Sequence, residues 1–208
     1  MFDTLIRTDV VDSQTLETMH EYCESVDFYI NESYGGIPDE LLAQQQTGIT
    51  DEKLKEFGAP PAPDEVLRSH RFQDMNRVLK EITLKLNKIC KDIILEQYGK
   101  QTTRLQGESI VRYAQGQSLP YHQDWSISEY VIKNGFPVVH LSSVFYINDN
   151  YEGGELLFST KRQTEYQHDI MSLKPQAGTI VFFDALQWHA SAPVKSGHKF
   201  ASTNFYSL

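Results

Sequence analysis

The chain has 208 residues, 40% of them apolar and 12% aromatic, which is enough material for one well-cored domain. Its 28 acidic against 19 basic residues leave a formal charge of −9, which disfavours non-specific binding to nucleic acid, where affinity rests on Lys and Arg contacts to phosphates. No run approaches the ~20 apolar residues of a membrane span, and the opening MFDTLIRTDVVDS lacks the basic and apolar regions of a secretory signal.

Cys23 and Cys90 are too few and too far apart for a disulfide framework or a zinc cluster and read as ordinary buried thiols. A soluble, cytoplasmic protein is the expectation. Residues 13–25 read as a short amphipathic helix, with Ser13 as its N-cap and Leu16, Met19 and Tyr22 on one face. From about Asn31 to Asp64, the Tyr34-Gly35-Gly36 turn, the glutamines at 44–46 and the Pro-rich APPAPDE predict little regular structure. That segment is either a lid or a plain connection. From Phe72 to about Tyr98, the stripe Met75, Val78, Leu79, Ile82, Leu86, Ile89 and Ile93 predicts a long helix lying against a sheet, with Gly99 as its stop.

Beyond Gln101 the pattern changes to short β-rich runs: ESIVRYA, VVHLSSVFYIN, GELLFS, DIMSLKP, GTIVFFDA and KFASTNFYSL. Their number and spacing predict a jelly-roll (double-stranded β-helix) barrel. In residues 138–147 one face carries Val138, His140, Ser142, Val144 and Tyr146. The other, mostly apolar, carries Val139, Leu141, Ser143, Phe145 and Ile147 and is the side a helix would cover. The expected class is α+β in a single domain spanning 1–208. Residues 1–100 form mainly helical support and loop, packed on the outside of the barrel core at 101–208.

Within SLPYHQDWS, His122 and Asp124 stand two apart, so in an extended strand both project to one side. With seven His and thirteen Asp in the chain, such a triplet arises by chance about 0.4 times and carries little weight alone. A second element adds to it: Gln187-Trp188-His189-Ala190-Ser191-Ala192-Pro193-Val194-Lys195-Ser196-Gly197-His198-Lys199, which follows a strand ending Phe182-Phe183-Asp184. Two histidines and one carboxylate form the facial triad suited to non-haem Fe(II), with coordination positions left open. The other histidines lack a correctly spaced partner. His140 lies on a strand, His168 in a polar turn, His198 faces away from Lys199, and His20 and His70 sit in the helical half.

The HxD pair, the distal His189 sixty-five positions after Asp124, and the run H-x3-P-V-x2-G-x-K together resemble the prolyl 4-hydroxylase-like branch of the 2-oxoglutarate/Fe(II) dioxygenases. The resemblance covers roughly Ser109 to Tyr206 and includes SVFYINDNYEGGELLF, similar to the family's strand, turn, Gly-Gly and strand. It implies that His122, Asp124 and His189 hold Fe(II) and that Lys199, ten positions after His189, pairs with the far carboxylate of 2-oxoglutarate. It further implies that Tyr146 bonds the same carboxylate and that Tyr113 reaches the co-substrate. The implied activity consumes O2 and 2-oxoglutarate, releases succinate and carbon dioxide, and hydroxylates a peptide, protein or small molecule, with peptidyl proline as the leading substrate and ascorbate as a further candidate cofactor. Related halogenases lack the carboxylate ligand, so Asp124 favours hydroxylation.

Competing readings are a nucleic-acid demethylase of the same superfamily, a cupin-like jelly roll that binds metal or a small molecule without turnover, and a zinc hydrolase. Lys199 and the acidic charge oppose the first, the complete ligand set the second, and the want of an obvious general base the third. Trp125 and Trp188 either line the substrate mouth or pack the barrel rim. The insertion SISEYVIKNGFP could join the Asn31–Asp64 segment in closing over a substrate.

Overall fold

The computed structural model describes residues 3–25, 68–71, 77–104, 109–124, 138–163 and 165–208. Met75, Trp125, the Asn31–Asp64 segment and the insertion SISEYVIKNGFP lie outside them. In chain order the elements are β1 (Leu5–Arg7), α1 (Ser13–Ser25), β2 (Arg68–Arg71), α2 (Arg77–Tyr98), β3 (Thr103–Arg104), β4 (Ser109–Tyr113) and β5 (Leu119–His122). There follow β6 (Leu141–Tyr146), β7 (Glu152–Gly153), β8 (Leu156–Ser159), β9 (Met171–Leu173), β10 (Ile180–Asp184), β11 (Trp188–Ser191), β12 (Val194–Ser196) and β13 (Lys199–Ser207).

All strand pairings are antiparallel. A seven-stranded sheet runs β1-β10-β6-β13-β4-β2, with β3 also on β13. A four-stranded sheet runs β5-β11-β8-β9, and β12 pairs with β7. The two larger sheets share one interior, as the expected jelly roll requires. Two of the edge strands come from the N-terminal half, since β1 pairs with β10 and β2 with β4. That half is therefore not helical support alone; strands of three and four residues are too short to register as a periodic pattern.

Strand alternation sorts the side chains into two layers. From β10, Ile180 and Phe182 turn outward and join Leu141 and Phe145 of β6, Phe200 and Tyr206 of β13, and Ile147 in a core completed by the helices. From the same strands Val181, Phe183 and Tyr146 turn into the barrel. The helical contribution is Met19 and Cys23 from α1 and Ile82, Leu86, Cys90 and Ile94 from α2. Each Leu or Ile so buried contributes about 1.5–3 kcal/mol relative to exposure, so both helices are held by the barrel's outer face, as expected.

The buried line of α2 advances by four and passes through Cys90 and Ile94, while Ile89 and Ile93 are half-buried on its flank. The predicted stripe thus holds at Ile82 and Leu86 and shifts by one position beyond them, from Ile89 and Ile93 to Cys90 and Ile94, because a buried thiol serves as a small apolar side chain. Burial also pushes the Cys23 thiol up to about 12, which suits an inert packing role. Asp12, not Ser13, caps α1. Its carboxylate accepts from the Thr15 N–H at 2.7 Å and from the Thr15 hydroxyl at 3.0 Å. Those bonds, the backbone one first, hold the Asp12 carboxyl below its ordinary range.

Candidate metal centre

His122 and His189 are direct partners across the β5–β11 pair. His189 and Ser191 face the barrel interior, while Trp188 packs with Tyr121, Leu157, Ala190 and Ala192 on the other side of the small sheet. Trp188 thus belongs to the packing alternative. The approach to His189 is fixed by a tight turn after β10, where Asp184 accepts from the Leu186 N–H (2.8 Å) and the Gln187 N–H (2.9 Å). The Gln187 amide donates to the Ser159 carbonyl at 2.7 Å, tying the turn to β8.

Asp124 stands just beyond β5, between the two imidazoles. Its Oδ1 lies 3.3 Å from His122 Nε2 and its Oδ2 3.5 Å from His189 Nε2. Each histidine places its Nδ1 at 2.9 Å from a carbonyl two residues earlier, Pro120 for His122 and Gln187 for His189. Donation from Nδ1–H leaves the Nε2 lone pairs aimed at the cluster, the tautomer a metal ligand needs. Among the described residues this is the one trio of His, Cys, Asp or Glu whose donor atoms lie within 4.8 Å of one another.

Electrostatics agree with ligation. Burial by itself would raise the Asp124 carboxyl, whose side chain is 7% exposed. His189, His122 and the Ser142 hydroxyl outweigh it and bring the pKa to about 2. Burial and the neighbouring His122 lower His189 to about 4, against the opposing pull of Asp124 and the Gln187 carbonyl. An ionised carboxylate and a neutral imidazole are the states that bind a divalent cation.

The pocket holding the trio counts about 680 Å3 out to its mouth. Val111 and Tyr113 of β4, Val144 and Tyr146 of β6, and Lys199, Ala201, Thr203 and Phe205 of β13 line it at alternate positions. Lys199 is 2% exposed. It donates to the Gly154 carbonyl and to Ser191 Oγ, both at 2.8 Å. The rings of Tyr113 and Tyr146 flank its ammonium at 5.0 and 5.3 Å, a consequence of register, since Lys199 pairs with Tyr113 and Ala201 with Tyr146. Desolvation lowers its pKa to about 7, opposed by Glu155. The buried Tyr146 hydroxyl has no hydrogen-bond partner among the described residues. A cation held by neutral acceptors beside an unsatisfied hydroxyl fits an incoming carboxylate.

All six residues anticipated from the sequence, His122, Asp124, His189, Lys199, Tyr146 and Tyr113, meet in this pocket. Gly154 and Ser191 were not anticipated. Gly154 has φ +66°, and a Cβ there would stand 3.2 Å from Lys199 Cδ and 3.1 Å from the Tyr151 ring. The Gly-Gly pair was the available signal for it. Ser191 occupies a position the motif leaves open. The remaining histidines stay apart: His140 Nδ1 accepts from the Leu208 N–H at 3.2 Å, His168 is exposed, and His20 and His198 lie near Glu24.

Residues 109–207 match the family model described as the 2OG-Fe(II) oxygenase superfamily. Among solved structures, the chain is similar to the viral collagen prolyl hydroxylase of Paramecium bursaria chlorella virus-1, solved as its 2OG complex. The identity is 15% and the TM-score 0.62, over 99% of this chain and 96% of that one. A prolyl-4-hydroxylase from Pseudomonas putida aligns at 10% identity and TM-score 0.58, covering 98% and 91%. A 2OG-Fe(II) oxygenase family oxidoreductase from Burkholderia pseudomallei aligns at 15% and 0.51, covering 86% and 93%. No curated protein sequence matches the chain at a significant level. No helix among the described residues is long and apolar enough to cross a membrane.

Proposed function

We propose that the chain, whose residues 109–207 fit the 2OG-Fe(II) oxygenase superfamily, is a 2-oxoglutarate-dependent dioxygenase that hydroxylates an unactivated C–H bond, with a peptidyl proline as the leading substrate. One observation carries this reading. Three metal-type donors and a buried lysine without a carboxylate partner among the described residues line the same pocket. A zinc hydrolase would leave that lysine without a task, and a nucleic-acid substrate is disfavoured by the charge of −9.

In this reading His122, Asp124 and His189 hold Fe(II), and Lys199 with Tyr146 and Tyr113 binds 2-oxoglutarate by its far carboxylate. When bound, iron and co-substrate supply the oxidation: one oxygen atom of O2 enters the substrate as a hydroxyl, the other enters succinate, and carbon dioxide leaves. The protein's part is orientation and enclosure. The Pro120 and Gln187 carbonyls fix the imidazoles. The apolar walls Val111, Val144 and Leu156 limit water around the reacting centre. The open side lies by His122, whose side chain is 23% exposed, and the substrate enters there. Residues 1–208 act as a single dioxygenase domain, a reading supported by the helices' packing on the barrel. Ascorbate serves as a supporting reductant, to be checked by turnover with and without it.

The deciding experiment is incubation of the full chain with Fe(II), 2-oxoglutarate, O2 and proline-rich peptides, followed by mass spectrometry. Gain of one oxygen on proline supports the substrate assignment. Succinate formation with every peptide unmodified would move the substrate to another side chain or a small molecule.

A further inference from the structure

Ser191 has none of the roles assigned above, yet its geometry joins the two halves of the pocket. It lies two residues past His189 on β11, so both side chains turn inward. The residue is 4% exposed, and its Oγ accepts from Lys199 Nζ at 2.8 Å. With a carboxylate beside it Lys199 is an ammonium and can only donate, so in that bond the serine is the acceptor and its own O–H remains to be donated. Lys199, meanwhile, spends two of its three donors on neutral oxygens, Gly154 O and Ser191 Oγ. With the Tyr146 hydroxyl unpartnered among the described residues, this end of the pocket offers several donors, and among the described residues no carboxylate pairs with Lys199 there.

We infer that Ser191 is a further binding residue for the far carboxylate of a five-carbon 2-oxo dicarboxylic acid, donating its hydroxyl proton to a carboxylate oxygen while accepting from Lys199. This rests on the co-substrate reading above. It makes β11 the measure of chain length. His189 and Ser191 are separated by two strand residues, about 7 Å, so one short segment holds a metal ligand and a carboxylate donor at a fixed interval. A 2-oxo acid of the same length without the second carboxylate gains nothing from Ser191.

The test uses the full chain loaded with Mn(II), which reports binding without turnover. Calorimetry with 2-oxoglutarate and with 2-oxopentanoate is run on the wild type, Ser191→Ala and Ser191→Thr. Loss of one hydrogen bond to a charged group is expected to weaken 2-oxoglutarate about tenfold in Ser191→Ala. Ser191→Thr, which keeps the hydroxyl, should stay near wild type, and affinities for Mn(II) and 2-oxopentanoate should not change. Wild-type affinity for 2-oxoglutarate in Ser191→Ala overturns the inference. So does a parallel loss for Mn(II) or 2-oxopentanoate, which marks a merely structural residue. If the wild type itself binds Mn(II) but no 2-oxoglutarate, the co-substrate reading falls first and this inference with it.

Discussion

His122 and His189 oppose each other across β5 and β11, with ring centroids 4.2 Å apart, and each is held by a carbonyl two residues back on its own chain segment. The geometry of the candidate metal centre is therefore set by the register of two strands. Removing either imidazole removes a ligand without disturbing that register, so His189→Ala should retain the fold while losing Fe(II) affinity by ten- to a hundredfold or more. Metal titration with circular dichroism as the fold control checks it, and undiminished metal binding would place the ion elsewhere.

Gln123 sits between His122 and Asp124, and its side-chain amide donates to the Leu186 carbonyl in the turn that leads to His189. The link straps the His-x-Asp segment to the turn before the strand of His189. Gln123→Met, similar in size but without the donor, should weaken metal binding several-fold while the melting temperature shifts little. An unchanged metal affinity would show that the β5–β11 register suffices alone.

Lys199, enclosed by Tyr113, Tyr146 and the backbone of Gly154 and held to about 7 by desolvation against the pull of Glu155, is part neutral at neutral pH. A carboxylate arriving beside it restores the charged form. Binding of 2-oxoglutarate should therefore take up a proton at pH 8 and almost none at pH 6, with affinity falling as pH rises above about 7. For stability the sign is opposite. The unfolded lysine binds its proton up to its ordinary value of 10.5, so between about 7 and that value the ligand-free protein gains stability from this group as pH rises. Calorimetry in buffers of different ionisation enthalpy measures the uptake, and its absence at pH 8 would mean that the lysine is already charged.

Gly154 accepts from Lys199 and holds φ +66° with little room for a Cβ. Gly154→Ala should cost about 1 kcal/mol or more in stability from the left-handed backbone alone. It should also weaken 2-oxoglutarate binding by displacing the lysine stem, leaving metal affinity intact. Chemical denaturation and ligand titration separate the two effects.

Asp12 caps α1, which packs on the barrel's outer face, and it is not among the residues that line the pocket. Asp12→Ala should cost about 0.5–2 kcal/mol through loss of the α1 cap, seen as a lower denaturation midpoint with unchanged 2-oxoglutarate affinity. Loss of that affinity would tie α1 to the site.

The extent to which the sequence foretold this arrangement follows the range of each signal. Alternation in 138–147 anticipated that Leu141, Phe145 and Ile147 meet the helices and that Val144 and Tyr146 meet the pocket, because strand period two maps directly onto the two sides of a sheet; Ser143, expected under the helix, lines the pocket instead. The trio and Lys199 were legible because their spacings are repeated features of one motif. Asp12 was missed in favour of Ser13 because adjacent cap-type residues compete and only the bonds to Thr15 decide between them. β1 and β2 were missed since edge strands this short owe their conformation to their partners β10 and β4. Ser191 was illegible for a related reason: its importance comes from Lys199 arriving from β13, a contact between residues eight apart that no local pattern records.

The most direct test of the dioxygenase is succinate formation. The full chain is titrated anaerobically with Fe(II) and 2-oxoglutarate, exposed to oxygen, and assayed for succinate beside His189→Ala and Lys199→Met. The account predicts iron-dependent succinate from the wild type, none from His189→Ala, and recovery of Lys199→Met only at much higher 2-oxoglutarate. Tight iron binding by the wild type with no succinate under any peptide or co-substrate concentration would contradict it and leave a jelly roll that binds metal without turnover.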